Sequence, residues 1–335
     1  MDALSRPPID GEWIRVEEAS APGYARRSAA RLSERLGFSE TRVGEVAIAA
    51  TELATNLQRH AKQGVLLIRP LRNGGEAAIE LLALDSGPGI ADLGELFSDG
   101  YSTRGTLGIG LGAVKRFATS LDAHSVPGRG TAIVATFWNS RTPGANPAVA
   151  ALTRPMDGET VCGDAWAARE PGTSTTLMLA DGLGHGELAA MAAREAVRAF
   201  QDRADVDDVV ALLEHIGAAL RPTRGAAVGI VKIERDIERV TFAGIGNIAA
   251  WIDDGEQRRG LISAPGIAGA PIKRIRAIEA AFPKHSVLVM HSDGLSTKWD
   301  LNQYPGLRTR DRRLIAATLF RDAGIHHDDA SILVA

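Results

Sequence analysis

The chain has 335 residues, enough for about two domains, each able to bury a core of its own. Its 45% hydrophobic and 24% charged residues exclude a disordered or fibrous chain, and a net charge of -3 leaves no broad electrostatic footprint for nucleic acid. One cysteine, Cys162, excludes a disulfide framework, and no apolar run nears the ~18 residues of a membrane span. The opening, MDALSRPPIDGEW, lacks the apolar core of a secretory leader, so a cytoplasmic protein is expected.

Tyr24–Leu36 has helical spacing, with Gly37 suited to the residue after its end. Ser39 suits the N-cap of a longer helix. There Val43, Val46, Ala47, Ala50, Leu53, Ala54 and Leu57 recur on one face and are expected in a core. GVLLIRPL and EAAIELLALD follow as strands, with RNGG as the hairpin turn. Asn139–Pro155, NSRTPGANPAVAALTRP, holds three prolines and no amphipathic period. It marks a linker at 140–155 between domains at 1–139 and 156–335. Beyond it TTLMLAD, GAAVGIVKI, RVTFAGIGN, AAWID and HSVLVMHSD predict strands, and Glu187–Asp202 and Val206–Leu220 predict helices. A further helix near Asp311–Asp322 precedes a last strand, ASILVA.

Three features of the first domain point to a nucleotide. Glu52 and Asn56 lie one turn apart on the polar face of the long helix, and His60 lies one turn further. LLALDSGPGI is an apolar strand that ends in Asp85 and runs into Gly87 and Gly89, and such an aspartate can accept a hydrogen bond from an adenine amino group. GTLGIGLG, Gly105–Gly112, opens a helix whose N-terminus can face phosphates. A P-loop is excluded because no G-x-x-x-x-G-K-[ST] occurs, and a Rossmann fingerprint because the glycines follow no strand.

The order E-x-x-x-N, D-x-G-x-G, Gly-rich lid, Gly130-Thr131 resembles the GHKL ATP-binding family. TELATNLQRHA and DGYSTRGTLGIGLGAVKRFATSLDAHSVPGRGTAIVATFW look most like its small anti-sigma and switch protein kinases. The resemblance, over about residues 10–138, implies the GHKL (Bergerat) α/β sandwich. It implies ATP with Mg²⁺ held by Asn56, and Glu52 as the base that takes the proton of an incoming serine or threonine hydroxyl. Asp85 would read adenine, Gly87 and Gly89 would let the backbone approach, and Gly108, Gly110 and Gly112 would let the lid close. Arg104 would contact the γ-phosphate, and Thr131 would complete the ATP-binding set. The lid lacks the glycine pair near Thr106 and the proline near Gly112 that this family carries.

The second domain offers aspartates at strand ends. Asp164 stands in VCGDAW, Asp181 ends a strand before Gly182, and Asp293 ends another before Gly294. Asp328 and Asp329 open the last strand. Taken singly, D-G is a common turn dipeptide. Gathered on one rim, such carboxylates repel unless cations neutralise them, and Mg²⁺ or Mn²⁺ are the fitting ions. Cys162 fails as a phosphatase nucleophile, since six residues separate it from Arg169 where that loop needs five. CGDAW, LADGLGHG, TRGAAVGIVKI, AGIGNI, GIAG, HSDGL and DDASILV resemble the PPM/PP2C protein phosphatases in their short, SpoIIE-type bacterial branch. The resemblance spans about 156–335 and implies a PP2C-like αββα sandwich with two Mn²⁺ or Mg²⁺ ions. Asp181 would bridge both metals, Gly182 would offer its carbonyl, Asp164 would hold a water shell, and Asp293 and Asp328 would complete the set.

Together the resemblances imply a two-domain α/β protein in which a serine/threonine kinase is fused to an opposing phosphatase. A STAS-domain protein is the implied shared partner in stress or sigma-factor signalling, with a sigma factor or other regulator downstream. The alternative expectation is a first half that only binds a regulator or senses ATP, leaving the phosphatase as the one activity. Switch kinases of this kind can be dimeric, and no interface stripe is readable here.

Overall fold

The structure is a computed structural model, and it describes residues 11–73, 76–91, 93, 110–140, 147–170, 172–271, 274–325 and 327–335. The chain forms two compact units, Pro8–Pro147 with Gln303–Arg321, and Ala148–Asn302 with Asp322–Ala335.

In the N-terminal unit, helix α1 (Ala21–Arg35) runs into α2 (Glu40–His60) through Gly37, whose φ of 75° ends the first helix. Ser39 caps α2 by accepting the Arg42 amide at 3.3 Å. Strands β1 (Glu12–Arg15), β2 (Val65–Asn73), β3 (Glu76–Asp85), β4 (Ser120–Val126) and β5 (Gly130–Trp138) form one antiparallel sheet in the order β1-β2-β3-β5-β4. β2 and β3 pair from Val65↔Leu84 to Asn73↔Glu76, the hairpin expected around RNGG. One sheet face packs Leu66, Ile68, Leu81, Ile133 and Phe137 against α1, α2 and α3 (Gly110–Phe117). On α2 the expected stripe is buried except Val43, which packs at the core's margin.

Arg42 locks this layer. Its buried guanidinium donates to Glu45, to the Phe117 and Trp138 carbonyls and to Thr119 Oγ1, at 2.6–3.1 Å. A buried charge is tolerable here because each face of the fork has an acceptor.

The opposite sheet face is also dry. Leu67, Leu82, Leu84, Val134 and Trp138 alternate with the first set and are buried. An antiparallel sheet commonly leaves one face to water. In this unit Gln303–Arg321 lies on that face. Phe320 stacks on Trp13 with ring centroids 5.7 Å apart, and Arg310 pairs with Asp122 at 3.1 Å. Arg313 reaches Glu80 at 3.1 Å and Thr136 at 2.6 Å. Glu80 is 0% exposed and is held from its other side by Arg69 at 2.6 Å.

The other unit is a sandwich of two antiparallel sheets. The first sheet runs β13 (Ile278–Ala281), β10 (Arg239–Ile245), β9 (Ala226–Glu234), β8 (Ser174–Gly182), β7 (Asp164–Arg169). The second runs β12 (Arg258–Leu261), β11 (Ala249–Asp253), β14 (Val287–His291), β15 (Ala330–Val334), β6 (Ala150–Arg154). Leu177, Val231 and Phe242 meet Ile252, Leu288 and Leu333 between them. Helices α4 (Glu187–Asp202) and α5 (Val209–Ala219) cover the first sheet through Phe200, Leu213 and Ile216. Asp208 caps α5 by accepting the Val210 and Ala211 amides, so the helix starts three residues later than its apolar pattern suggests.

Two stretches fall differently from the boundaries that composition suggests. Ala150–Arg154, within the proline-bearing stretch, is strand β6 and pairs with β15. Helix α6 (Arg312–Ala323) lies between the positions of Asp293 and Asp328 in sequence, yet through Arg321 it belongs to the N-terminal unit.

Candidate functional site

The first candidate site is built where β3 leaves the sheet. Asp85 is the last residue of β3 and pairs in register with Thr131 of β5. It is 9% exposed, and its Oδ1 accepts the Gly87 amide at 2.7 Å. Burial pushes its carboxyl up from the ordinary aspartate value. The Gly87 amide, the charge of Arg321 and the Thr131 backbone and hydroxyl pull the other way. Thr131 Oγ1 lies 3.0 Å from Ser125 Oγ, which accepts the Ile90 amide at 2.7 Å and so ties the DSGPGI turn to β4. Gly89 has a φ of 70°, and a Cβ there would lie 2.2 Å from the Val126 carbonyl oxygen. That close approach accounts for Gly89 by itself.

The Lys62 carbonyl accepts the Ser86 amide at 2.9 Å, which brings the end of α2 to the Asp85 turn. Glu52 and Asn56 are half-buried on α2, one turn apart, and His60 is exposed. Gly110 and Gly112 stand in the first turn of α3, Gly110 half-buried and Gly112 buried. Arg104 and Gly108 lie outside the described residues. Asp85, Gly87 and Thr131 therefore share one corner, with α2 led to it through its C-terminal turn.

The second candidate site begins with a strand pair. Asp164 opens β7 and stands directly opposite Asp181 near the end of β8. Asp164 is buried. Its Oδ2 accepts from Ser292 at 2.7 Å, while its Oδ1 and the nearby Ser331 hydroxyl both lack a well-aligned partner. Burial drives its carboxyl well above the ordinary range, and Asp329 and Asp293 add to the rise. Asp181 rises further, first through burial and then through the charges of Asp164, Asp293, Asp328 and Asp329. Gly182 follows with no room for a side chain, since a Cβ would lie 2.1 Å from the Ala189 carbonyl oxygen of α4.

Asp181, Asp293 and Asp328 line one pocket of about 310 Å³ with His185, Asn247 and His327. The two final aspartates differ. Asp329 is buried and spends its carboxylate on the Met156 and Gly163 amides, both at 2.9 Å, whereas Asp328 faces the pocket. Among the described residues no three His, Cys, Asp or Glu side chains close into a complete cage. The carboxylates line a wall and leave room for water, which suits Mg²⁺, an ion that keeps much of its hydration shell. Desolvated like charges beside an orphaned carboxylate oxygen fit a site that a divalent cation neutralises.

Two supporting residues, Asn247 in the pocket and Glu159 behind His185, were not singled out by sequence. Asn247 donates to Asp293 Oδ2 at 2.6 Å and orients it. Glu159 holds His185 Nδ1 at 2.7 Å. Asn247 lies within AGIGNI, a motif whose spacing gives no hint of its target. Cys162 is half-buried and donates to the Arg154 carbonyl, an ordinary structural contact. A larger cleft of about 470 Å³, lined by Arg35, Arg72 and Asn139, contains none of the candidate site residues.

An ATPase-like α/β layer and a carboxylate-lined β-sandwich define a two-domain protein of the ATP-binding and PP2C-phosphatase classes. Residues 15–137 match the model of the histidine kinase-like ATPase domain, and residues 171–335 match that of stage II sporulation protein E. The chain belongs to the histidine kinase-like ATPase family and carries a SpoIIE-type PP2C phosphatase domain behind it. It is 36% identical over 114 residues to the serine/threonine-protein kinase RsbT of Bacillus subtilis, covering 34% of this chain and 86% of RsbT. It is 28% identical over 145 residues to the phosphoserine phosphatase RsbX of the same organism, covering 42% of this chain and 70% of RsbX. A solved structure from work on the bacterial stressosome as a modular system adapted to control secondary messenger signalling is 26% identical. It matches with a TM-score of 0.52 over 56% of this chain and 97% of its own.

Proposed function

We propose that the chain is a partner-switching regulator that phosphorylates a serine or threonine of a STAS-domain protein with one half and removes such a phosphate with the other. The observation that carries this reading is the presence, in one chain, of a buried Asp85–Thr131 corner at a strand end and of a pocket lined by Asp181, Asp293 and Asp328, with Asp181 paired in register with the buried Asp164. The relatives are a kinase and a phosphatase, one matching each half.

In the kinase half Asp85 accepts from the adenine amino group while Thr131 holds the strand end beside it. Asn56 offers its amide oxygen to Mg²⁺ on the ATP phosphates. Glu52 accepts the proton of the incoming hydroxyl, the step a half-buried carboxylate one turn from Asn56 suits. Arg104 belongs to the same ATP-binding set as the contact to the γ-phosphate, and Gly108, Gly110 and Gly112 let the lid close over the phosphates. In the phosphatase half Asp181, the Gly182 carbonyl, Asp293 and Asp328 hold two Mn²⁺ or Mg²⁺ ions, and Asp164 orients their water. The ions supply an activated water and neutralise the substrate phosphate. Asn247 keeps Asp293 aimed into the pocket.

Intact-mass measurement tests the reading. The Asp181→Asn protein, mixed with a STAS-domain protein, ATP and Mg²⁺, should add one phosphoryl group (about 80 Da) to the partner. The Glu52→Ala change should slow the gain by about 10²–10⁴-fold, and wild type with Mn²⁺ should reverse it once ATP is removed. ATP binding without any mass gain would leave the first half as a binding or sensing module.

A further inference from the structure

The nucleotide corner has one neighbour that comes from outside the ATPase match. Arg321 Nη1 donates to the backbone carbonyl of Asp85 at 3.0 Å. Arg321 lies 184 residues beyond the end of that match at residue 137, on helix α6, and seven residues before Asp328 in sequence. The helix is not loosely placed. Phe320 stacks on Trp13, Arg313 reaches the buried Glu80, and His124 Nε2 meets the Pro305 carbonyl at 3.1 Å. Each contact lies within the N-terminal unit.

We propose that Arg321 is a positioning residue of the ATP site, so that the nucleotide domain is completed in cis by a segment drawn from within the phosphatase sequence. This rests on the reading of Asp85 as the adenine contact. An aspartate accepts from an adenine amino group more strongly when ionised, yet Asp85 is nearly dry and burial favours its protonated form. The Gly87 amide donates to the carboxylate directly, and the Arg321 charge, held at the backbone carbonyl of the same residue, favours the anion through space. The same guanidinium fixes the β3 end through the Asp85 carbonyl, so charge and geometry come from one side chain. A charge-assisted hydrogen bond of this kind is about twice as strong as a neutral one.

Full-length wild type, Arg321→Ala, Arg321→Gln and Asp85→Asn would be titrated with a non-hydrolysable ATP analogue and its GTP counterpart by calorimetry. Melting curves of each variant would be recorded alongside. Arg321→Ala should weaken ATP binding about tenfold or more, the loss of one charge-assisted bond, and narrow the preference for ATP over GTP. Arg321→Gln keeps a donor for the carbonyl without the charge and should fall between. A variant that melts with wild type yet binds ATP with unchanged affinity and preference overturns the proposal. If Arg321→Ala melts early, Arg321→Gln decides: wild-type affinity and preference there overturn it equally. If Asp85→Asn keeps full ATP affinity and preference, the adenine reading fails and the proposal falls with it. An Asp85 effect without an Arg321 effect removes Arg321 alone.

Discussion

Asp164 and Asp181 face each other across the β7–β8 pair, two carboxylates at one register position with burial raising both. Like charges directly opposite on neighbouring strands destabilise a sheet. Ionised together they would repel, so the position favours protonation or a bound cation.

That repulsion sets a pH dependence. Both folded-state values lie above the ordinary 3.8, so the fold favours the protonated forms. The stability they contribute is present below about pH 4 and is lost as pH rises toward the raised values. Melting of the protein with and without Mn²⁺, followed from about pH 5 to pH 8.5, should show Mn²⁺ stabilising it more at each step upward. Asp181→Asn should flatten the trend. A Mn²⁺ effect that is constant across the window would detach these aspartates from the metal.

Asn247 is a supporting residue for Asp293. Partners that orient a ligand carboxylate typically change metal affinity about 10–100-fold when removed. Asn247→Ala should therefore raise the Mn²⁺ concentration needed for half-maximal hydrolysis of p-nitrophenyl phosphate, and excess Mn²⁺ should restore most of the rate. An unchanged Mn²⁺ requirement would make the 2.6 Å contact incidental.

Glu52 and Asp85 should separate chemistry from binding. Glu52→Ala is expected to slow phosphoryl transfer by about 10²–10⁴-fold while leaving ATP affinity near wild type. Asp85→Asn should do the reverse at limiting ATP. Paired binding and single-turnover measurements distinguish them, and a Glu52→Ala protein that transfers phosphate at full rate would remove Glu52 from the base role.

Arg313→Ala would leave Glu80 buried with one cationic partner fewer. Breaking a buried pair from one side costs about 3–5 kcal/mol, and Arg69 on the other side of Glu80 puts the expected loss at the lower end. Urea denaturation measures it. The double change Arg313→Met, Glu80→Gln should recover part of the loss. A cost below about 1 kcal/mol would mean that the 303–321 segment contributes little to the N-terminal unit.

Much of this was legible because chemistry and periodicity coincide. The α2 stripe, the RNGG hairpin and the D-G strand ends each follow from local rules, and the Asp85–Thr131 and Asp164–Asp181 pairings are what those strand ends become in a sheet. What sequence hid was long-range. β6 lies in a proline-bearing stretch whose strand character depends on β15 as its partner. Asn247 acquires meaning only when the β10–β11 turn meets Asp293. The near-continuous apolar runs of β3 and β5, buried on both faces in the structure, were the local sign that the sheet is covered on both sides. It does not say by what. Helix α6 was visible as a helix, but nothing local in DRRLIAATLF assigns it to a sheet more than 170 residues upstream.

That assignment has a consequence for synthesis. A chain made from its N-terminus emerges with β1 to β5 complete long before residue 321 exists. Until then one sheet face, with Trp13, Leu67, Leu82 and Val134, has no cover from its own unit, and Glu80 lacks Arg313. The nascent N-terminal half must wait, holding an apolar face through the translation of nearly the whole second half. A fragment cut after residue 147 would keep that face for good. The first unit is therefore not a continuous stretch of sequence, and a single cut after residue 147 would part its sheet from the segment that covers it.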